Sequence, residues 1–355
     1  MKNASFTHQG KRTYQEDYFY DDISEQGLYI LCDGVGGAAK GAEASQLVTH
    51  TIRTMVEDKK VLPVGKAIVH QLVTTASTAL KQKVQEVPEA EGMGTTLTMV
   101  YFHRNGATLA HIGDSRIYYI KPKLGKYWRT KDHSHVQELF DVGILKSEAA
   151  MASHPMNNRI TRALQGKKEK DNMGEKSVEA DVTNIGNVED GDLFFMCSDG
   201  VLEAYFLDSF LEVLVDSQLE LKERLAKIES VCATNSNDNN TAILIEVEKS
   251  DVVTTETKTR LSWRQISMGA TDIPNAIVPI VAVNVEQNNT ETEIKDTPRL
   301  NRSTFFWVIL LTFVFLGILF FSGKIKNKTP AEENKVSQTE KENLSLTLDG
   351  IMTLL

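Results

Sequence analysis

LYILCDGVGG, Leu28 to Gly37, sets an aspartate at the open end of an apolar run and follows it with glycines that let the backbone turn and approach a ligand closely. Leu28, Ile30 and Cys32 alternate with Tyr29, Leu31 and Asp33, and most of these side chains are apolar. The strand is therefore expected to be buried on both faces. A carboxylate at the end of such a strand is costly unless something positive neutralises it, so Asp33 invites a cation. Taken alone, Asp-Gly reads better as a turn.

The same arrangement recurs along the chain. DLFFMCSDG, Asp192 to Gly200, is a second apolar run ending in Asp-Gly, and NSNDNNTAILIE, Asn235 to Glu246, is an Asn/Asp loop feeding a third apolar strand. TLAHIGDSRIYY, Thr108 to Tyr119, sets Asp114 after Gly113 between two strand-like runs, and Glu16-Asp17 precedes the aromatic run Tyr18, Phe19, Tyr20. Five acidic loci thus stand at strand ends or turns. Carboxylates gathered there are the raw material of a hard-metal site.

With 355 residues and 41% hydrophobic composition the chain can hold one large domain with appendages, or two domains. Its formal charge of −9 argues against a general affinity for nucleic acid, so a bound phosphate must be met by local charge. Arg12, close to Glu16 and Asp17, reads as a plain ion pair or as a bidentate phosphate clamp beside a metal site. The three cysteines, Cys32, Cys197 and Cys232, form no Cys-x-x-Cys pair, no zinc-ligand spacing and no Cys-x5-Arg cradle. A covalent thiol mechanism is not expected. Free thiols inside apolar strands suit a reducing cytoplasm.

Helical spacing marks Gly41 to Glu57, a second segment after Pro63 carrying Ile68, Leu72, Ala76, Leu80 and Val84, and Gln218 to Cys232. Gly94 to Phe102, Ala107 to Ile112 and Arg116 to Ile120 read as an antiparallel meander, with Asn105-Gly106 as its hairpin turn. Residues 130–166 are irregular and read as an insertion over the domain surface, placed to act as a lid. Within them His133 and His135 form a His-x-His pair that could bind zinc, although no further ligand spacing accompanies it. Beyond Lys249 apolar periodicity weakens into a Thr-, Asn-, Glu- and Lys-rich linker. STFFWVILLTFVFLGILFFSG, between Arg302 and Lys324, carries no charge and has the length of one transmembrane helix. The polar N-terminus lacks the apolar core of a secretory signal.

In order and context these loci resemble the metal-dependent protein serine/threonine phosphatases of the type 2C (PPM) family. Arg12 with Glu16-Asp17 is similar to its Arg-x-x-x-Glu-Asp element, and CDGVGG followed by GAEAS to its Asp-Gly-x-Gly-Gly element. GTT at Gly94 to Thr96, GDSR at Gly113 to Arg116, DHS at Asp132 to Ser134, ITRALQG at Ile160 to Gly166, SDG at Ser198 to Gly200 and DNNT at Asp238 to Thr241 follow in family order. The resemblance covers Phe6 to about Glu248. It implies an α+β fold, an α/β/β/α four-layer sandwich of two antiparallel sheets flanked by helices. The expected organisation is a phosphatase domain over 1–248, a linker over 249–303, the transmembrane helix over 304–323 and a polar tail over 324–355.

By the same resemblance, Asp33 would bridge two Mn2+ or Mg2+ ions and the Gly34 carbonyl would bind one of them. Asp199 and Asp238 would hold the other, and Glu16 and Asp17 would reach the ions mainly through water. Asp114 would join Asp199 around a third ion, as in bacterial members, and Arg12 would hold the substrate phosphate. Two dications lower the pKa of a bridging water, so hydroxide can attack phosphorus without a protein nucleophile. One departure is Val35, which replaces the histidine proposed as general acid in several eukaryotic members. The expected activity is hydrolysis of phosphoserine and phosphothreonine in proteins, opposing a serine/threonine kinase whose autophosphorylated form is a natural target. The expected location is a single-pass membrane protein with its catalytic domain in the cytoplasm. A regulatory phosphoprotein-binding member of the same fold and a hydrolase of small phosphoesters are the alternatives. Retention of Asp33, Asp199 and Asp238 favours the enzyme over the binding module.

Overall fold

The structure, a computed structural model, describes residues 1–21, 27–37, 39–59, 62–166, 178–248 and 260–267. Along the chain the strands are β1 Lys2–His8, β2 Asp17–Asp21, β3 Leu28–Val35, β4 Gly94–Thr95, β5 Leu97–His103, β6 Gly106–Ile112, β7 Arg116–Lys121, β8 Lys126–Arg129, β9 Leu164–Gln165, β10 Asp181–Ile185, β11 Leu193–Cys197, β12 Asn240–Glu246 and β13 Arg264–Gln265. The helices are α1 Ala39–Lys59, α2 Lys66–Glu86, α3 His135–Asp141, α4 Glu148–Ala152, α5 Asp199–Glu203, α6 Leu211–Leu214 and α7 Leu221–Asn235.

The period-two pattern of the apolar strands decides the layering. Leu28, Ile30 and Cys32 of β3 enter a core shared with α1 and α2, while Tyr29 and Leu31 enter a core between the sheets. β11 and β12 repeat the logic: Leu193, Phe195, Cys197, Ala242 and Leu244 pack with α5, α6 and α7, and Phe194, Met196, Ile243 and Ile245 face inward. Inward rings fill the inter-sheet space, with Tyr119 stacked on Phe194 at 4.7 Å between centroids. One sheet runs β1-β12-β11-β7-β8-β13; the other runs β10-β6-β5-β3-β4-β9, with β2 also pairing with β3. Every pairing in both is antiparallel. The layers are helices, sheet, sheet, helices, as the resemblance implied.

Three local readings change. The expected meander over residues 94–120 forms only as far as the β5–β6 hairpin around Asn105-Gly106, because the chain then leaves one sheet at the end of β6 and enters the other at β7. Gly113, with φ 105°, makes that crossing possible in a conformation that a side chain would strain. The run Gly94 to Phe102 divides into β4 and β5 around Thr96, whose hydroxyl meets the Ser115 hydroxyl at 2.9 Å and ties the crossing to the neighbouring strands. Asp33-Gly34 is not a turn but part of β3, which runs on to Val35, and Asp199-Gly200 opens α5.

Met1–Asn275 forms one compact unit, and the second unit, Ala276–Leu355, lies outside the described residues. The apolar run expected to span a membrane falls in that second unit. Among the described residues no helix is long and apolar enough to cross a membrane. Residues 260–267, within the stretch read as linker, return to the domain as the edge strand β13.

Candidate metal centre and active site

Asp33 sits near the end of β3, directly across from Asp17 of β2. Its amide donates to the Thr96 hydroxyl at 2.9 Å, and its carbonyl accepts from the Thr96 amide at 2.8 Å and the Thr95 hydroxyl at 2.9 Å. Backbone position is therefore fixed by the GTT segment. Next to it, Gly34 and Gly41 lie back to back: a Cβ on Gly34 would meet the Gly41 backbone, and one on Gly41 would meet the Glu16 carboxylate. Only glycine permits that approach, which brings α1, β3 and the Glu16-Asp17 segment together. The Glu16 carbonyl accepts from the Gly34 amide at 3.1 Å and from the Ser45 hydroxyl of α1 at 2.6 Å.

The other sheet supplies the remaining carboxylates. Asp199 opens α5 immediately after β11, and Asp238 immediately precedes β12. Ser198 links the sheets by donating to Asp17 Oδ2 at 2.7 Å while accepting from the Thr241 amide at 3.0 Å. Asp114 stands at the crossing between sheets and is buried. All the sequence-predicted acidic residues therefore converge on one end of the sandwich.

Their electrostatics show what such a gathering costs. Burial pushes the Asp17 carboxyl up to about 7, opposed by hydrogen bonds from Ser198 and Thr241 and reinforced by Asp199 and Asp238. Asp199 is pushed up to about 6, first by burial and then by Asp238. Asp33 and Asp114 are held well above the usual carboxylate range by burial, with Asp199 the largest charged contributor to each. A hydrogen bond joins the Asp33 and Asp199 carboxyls. Asp17 Oδ1 is buried with no hydrogen-bond partner. Mutually repelling, oxygen-only donors with an orphaned buried oxygen fit hard divalent cations such as Mn2+ or Mg2+.

Arg12 lies on the rim, with 55% of its side chain exposed, and its guanidinium is paired with the Asp238 carboxylate. That contact is the largest cause of its raised pKa. The ion-pair reading is thus present in the structure, on a side chain more than half exposed. Glu203 had no signal in the sequence beyond lying four residues after Asp199. Its carboxylate accepts from the amides of Asn237 at 3.0 Å and Asp238 at 3.2 Å, from Asn237 Nδ2 at 3.0 Å and from the Ser236 hydroxyl at 3.0 Å. One residue therefore moulds the Asp238 loop from the helix that Asp199 begins.

His133 packs not into a His-x-His site but against His111, ring centroids 4.5 Å apart, with Nε2 3.3 Å from Asp181 Oδ2. This trio has the composition of a metal site. The Gly113 amide, however, donates to His133 Nδ1 at 3.0 Å, so the neutral ring carries its proton on Nε2, the atom facing Asp181. In that tautomer Nε2 is a donor directed at Asp181, and the ring ties the Gly113 crossing to the Asp181 strand.

A profile of the family described as "Protein phosphatase 2C" matches residues 6–237. The chain belongs to the protein phosphatase 2C family. It is 35% identical over 224 residues to the serine/threonine protein phosphatase PstP of Mycobacterium tuberculosis, an alignment covering 62% of this chain and 40% of PstP. It is 31% identical over 249 residues to the protein phosphatase PhpP of Streptococcus pneumoniae, covering 68% of this chain and 95% of PhpP. Among solved structures, the catalytic domain of PstP in complex with two manganese ions superposes with a TM-score of 0.57 at 30% identity, covering 70% of this chain and 98% of that one. The chain thus matches well under half the length of full PstP but nearly all of its catalytic domain.

Proposed function

We propose that this protein is a Mn2+- or Mg2+-dependent phosphatase of phosphoserine and phosphothreonine in proteins, opposing a serine/threonine kinase. The observation that carries this reading is the convergence of Asp17, Asp33, Asp114, Asp199 and Asp238, drawn from both sheets, on one end of the sandwich, with Asp17 and Asp114 buried. When bound, the ions supply a water acidic enough to act as nucleophile near neutral pH. Asp33, the Gly34 carbonyl, Asp199 and Asp238 are the groups assigned to hold them, with Asp114 and Asp199 around a third and Glu16 and Asp17 contributing through water. Arg12 draws the substrate phosphate to the rim and neutralises charge on its equatorial oxygens. Val35 has no proton to give, so this chain does not use that side chain as general acid. The free thiols add no covalent route: burial pushes Cys32 and Cys232 up to about 12 and Cys197 higher still.

The full chain, assayed on a phosphothreonine peptide, should release phosphate with Mn2+, stop on adding EDTA and recover on Mn2+ readdition. Arg12→Ala should weaken substrate capture by about 1.5–3 kcal/mol, the worth of one charged hydrogen bond, while manganese affinity changes little. Full turnover in EDTA would overturn the reading. We also assign the uncharged run after Arg302 as a single membrane anchor that leaves the phosphatase domain in the cytoplasm, on the strength of its length and of the large domain preceding it. Protease added to intact spheroplasts should clip a C-terminal tag and spare the domain.

A further inference from the structure

The segment 260–267 lies beyond the residues that match the family profile, yet it is built into the domain. Ile266 is buried among the residues that pack against α5, α6 and α7, and its amide donates to the Gly125 carbonyl at 2.8 Å. Leu261 and Trp263 pack against the inter-sheet core, and Lys126 Nζ stands 4.4 Å over the Trp263 ring. This strap brings Arg264 onto a cluster of charges. Arg264 Nη1 is 2.5 Å from Glu148 Oε1 and 3.9 Å from Asp208 Oδ2. Arg129 reaches the same Glu148 oxygen at 3.0 Å and Asp208 at 3.4 Å. Arg116 is bidentate on Asp132, 2.7 Å on each side, and lies 3.6 Å from Asp208. Three arginines therefore balance three carboxylates, and removing Arg264 leaves Glu148 held by Arg129 alone, with its tie to the strap gone.

The cluster is joined to both the active site and the insertion above it. Glu148 is the first residue of α4, and Asp132 belongs to the segment leading into α3. His133 grips the Gly113–Asp114 crossing twice, accepting from the Gly113 amide and donating its own amide to the Gly113 carbonyl at 2.8 Å. At its far end the insertion returns as β9, paired through β4 to Gly34–Val35 of β3. Both feet of the insertion thus stand beside assigned metal ligands. Its middle presents Val142 and Ile144, 72% and 65% exposed, as apolar contacts that a polypeptide could use and a small phosphate could not reach.

Resting on the phosphatase reading, we propose that Arg264 is a positioning residue: it pins α4 through Glu148, so that the chain following the domain sets how the insertion meets a protein substrate. The test compares the full chain with Arg264→Ala and Arg264→Lys. Turnover of a phosphothreonine peptide and of a small aryl phosphate is measured with Mn2+, alongside amide hydrogen exchange over residues 135–152. Arg264→Ala should raise the peptide KM roughly five-fold with kcat little changed, leave aryl phosphate kinetics as in the parent, and speed exchange in α4. Arg264→Lys, which keeps the charge, should restore most of both. Unchanged exchange and peptide KM would overturn the proposal, as would an equal loss on both substrates with a lowered melting temperature, which marks a general brace. A parent inactive on both substrates would remove the phosphatase reading, and the exchange comparison would still decide whether Arg264 positions the insertion.

Discussion

Asp33→Asn should bring manganese-supported turnover down by on the order of 10²- to 10³-fold or more, the scale of losing one preorganised electrostatic contact at a reacting centre. Asp33 feels the other carboxylates directly: its carboxyl is pushed up by burial, then by Asp199, Asp17 and Asp114 in that order. The amide is nearly isosteric and keeps the backbone bonds to Thr95 and Thr96, so the effect is one of charge. In EDTA the same variant should melt at a higher temperature than the parent, because a buried repulsive charge has been removed. A variant both inactive and less stable without metal would point to misfolding, and full activity would dismiss the two-ion centre.

The metal-free protein should lose stability as pH rises from about 4 to about 7. Asp17 is held up to about 7 and Asp199 to about 6, both above their value in an unfolded chain. A carboxyl with a raised folded-state pKa binds more protons folded than unfolded. Its contribution is fully present below the unfolded value and disappears as pH climbs through the folded one. Together the two groups are worth a few kcal/mol, so the melting temperature in EDTA should fall by several degrees across that window. Saturating Mn2+ should reverse the slope, since cations bind the deprotonated carboxyls that the folded protein otherwise resists forming. Melting curves at pH 5, 6, 7 and 8, with EDTA and with Mn2+, settle the sign; a flat EDTA series would mean that the carboxyls titrate normally.

What could be read from the sequence followed from how strongly local pattern constrains it. β3 from Leu28 to Cys32, β11, and β12 from Ala242 to Ile245 are apolar on both faces, so their double-sided burial was legible, as were α1, α2 and α7 from their 3.6-residue spacing. The acidic loci were legible because a carboxylate at the end of an apolar strand contradicts its surroundings. β1 was not: only Phe6 among its residues is buried, and its partner β12 lies more than 230 residues away. The division of β6 and β7 between sheets was hidden because Gly113-Asp114 has the composition of a hairpin turn. The strap was hidden because Trp263 and Ile266 are isolated apolar residues in a polar stretch. Glu203 was missed because its role is to accept hydrogen bonds from a loop more than 30 residues distant. Sequence periodicity cannot report a contact of that kind.

The two sheets also differ in when they can be completed during synthesis. Every strand of the seven-stranded sheet falls between Asp17 and Ile185, whereas β1 of the other sheet has no partner until β12 at Asn240–Glu246 is made. The half carrying Asp17 and Asp33 can assemble while the half carrying Asp199 and Asp238 is still being translated. A nascent chain therefore holds an incomplete set of acidic side chains for much of its elongation. The acidic set, Asp238 included, is complete only once the chain has been made as far as β12, before β13 joins β8.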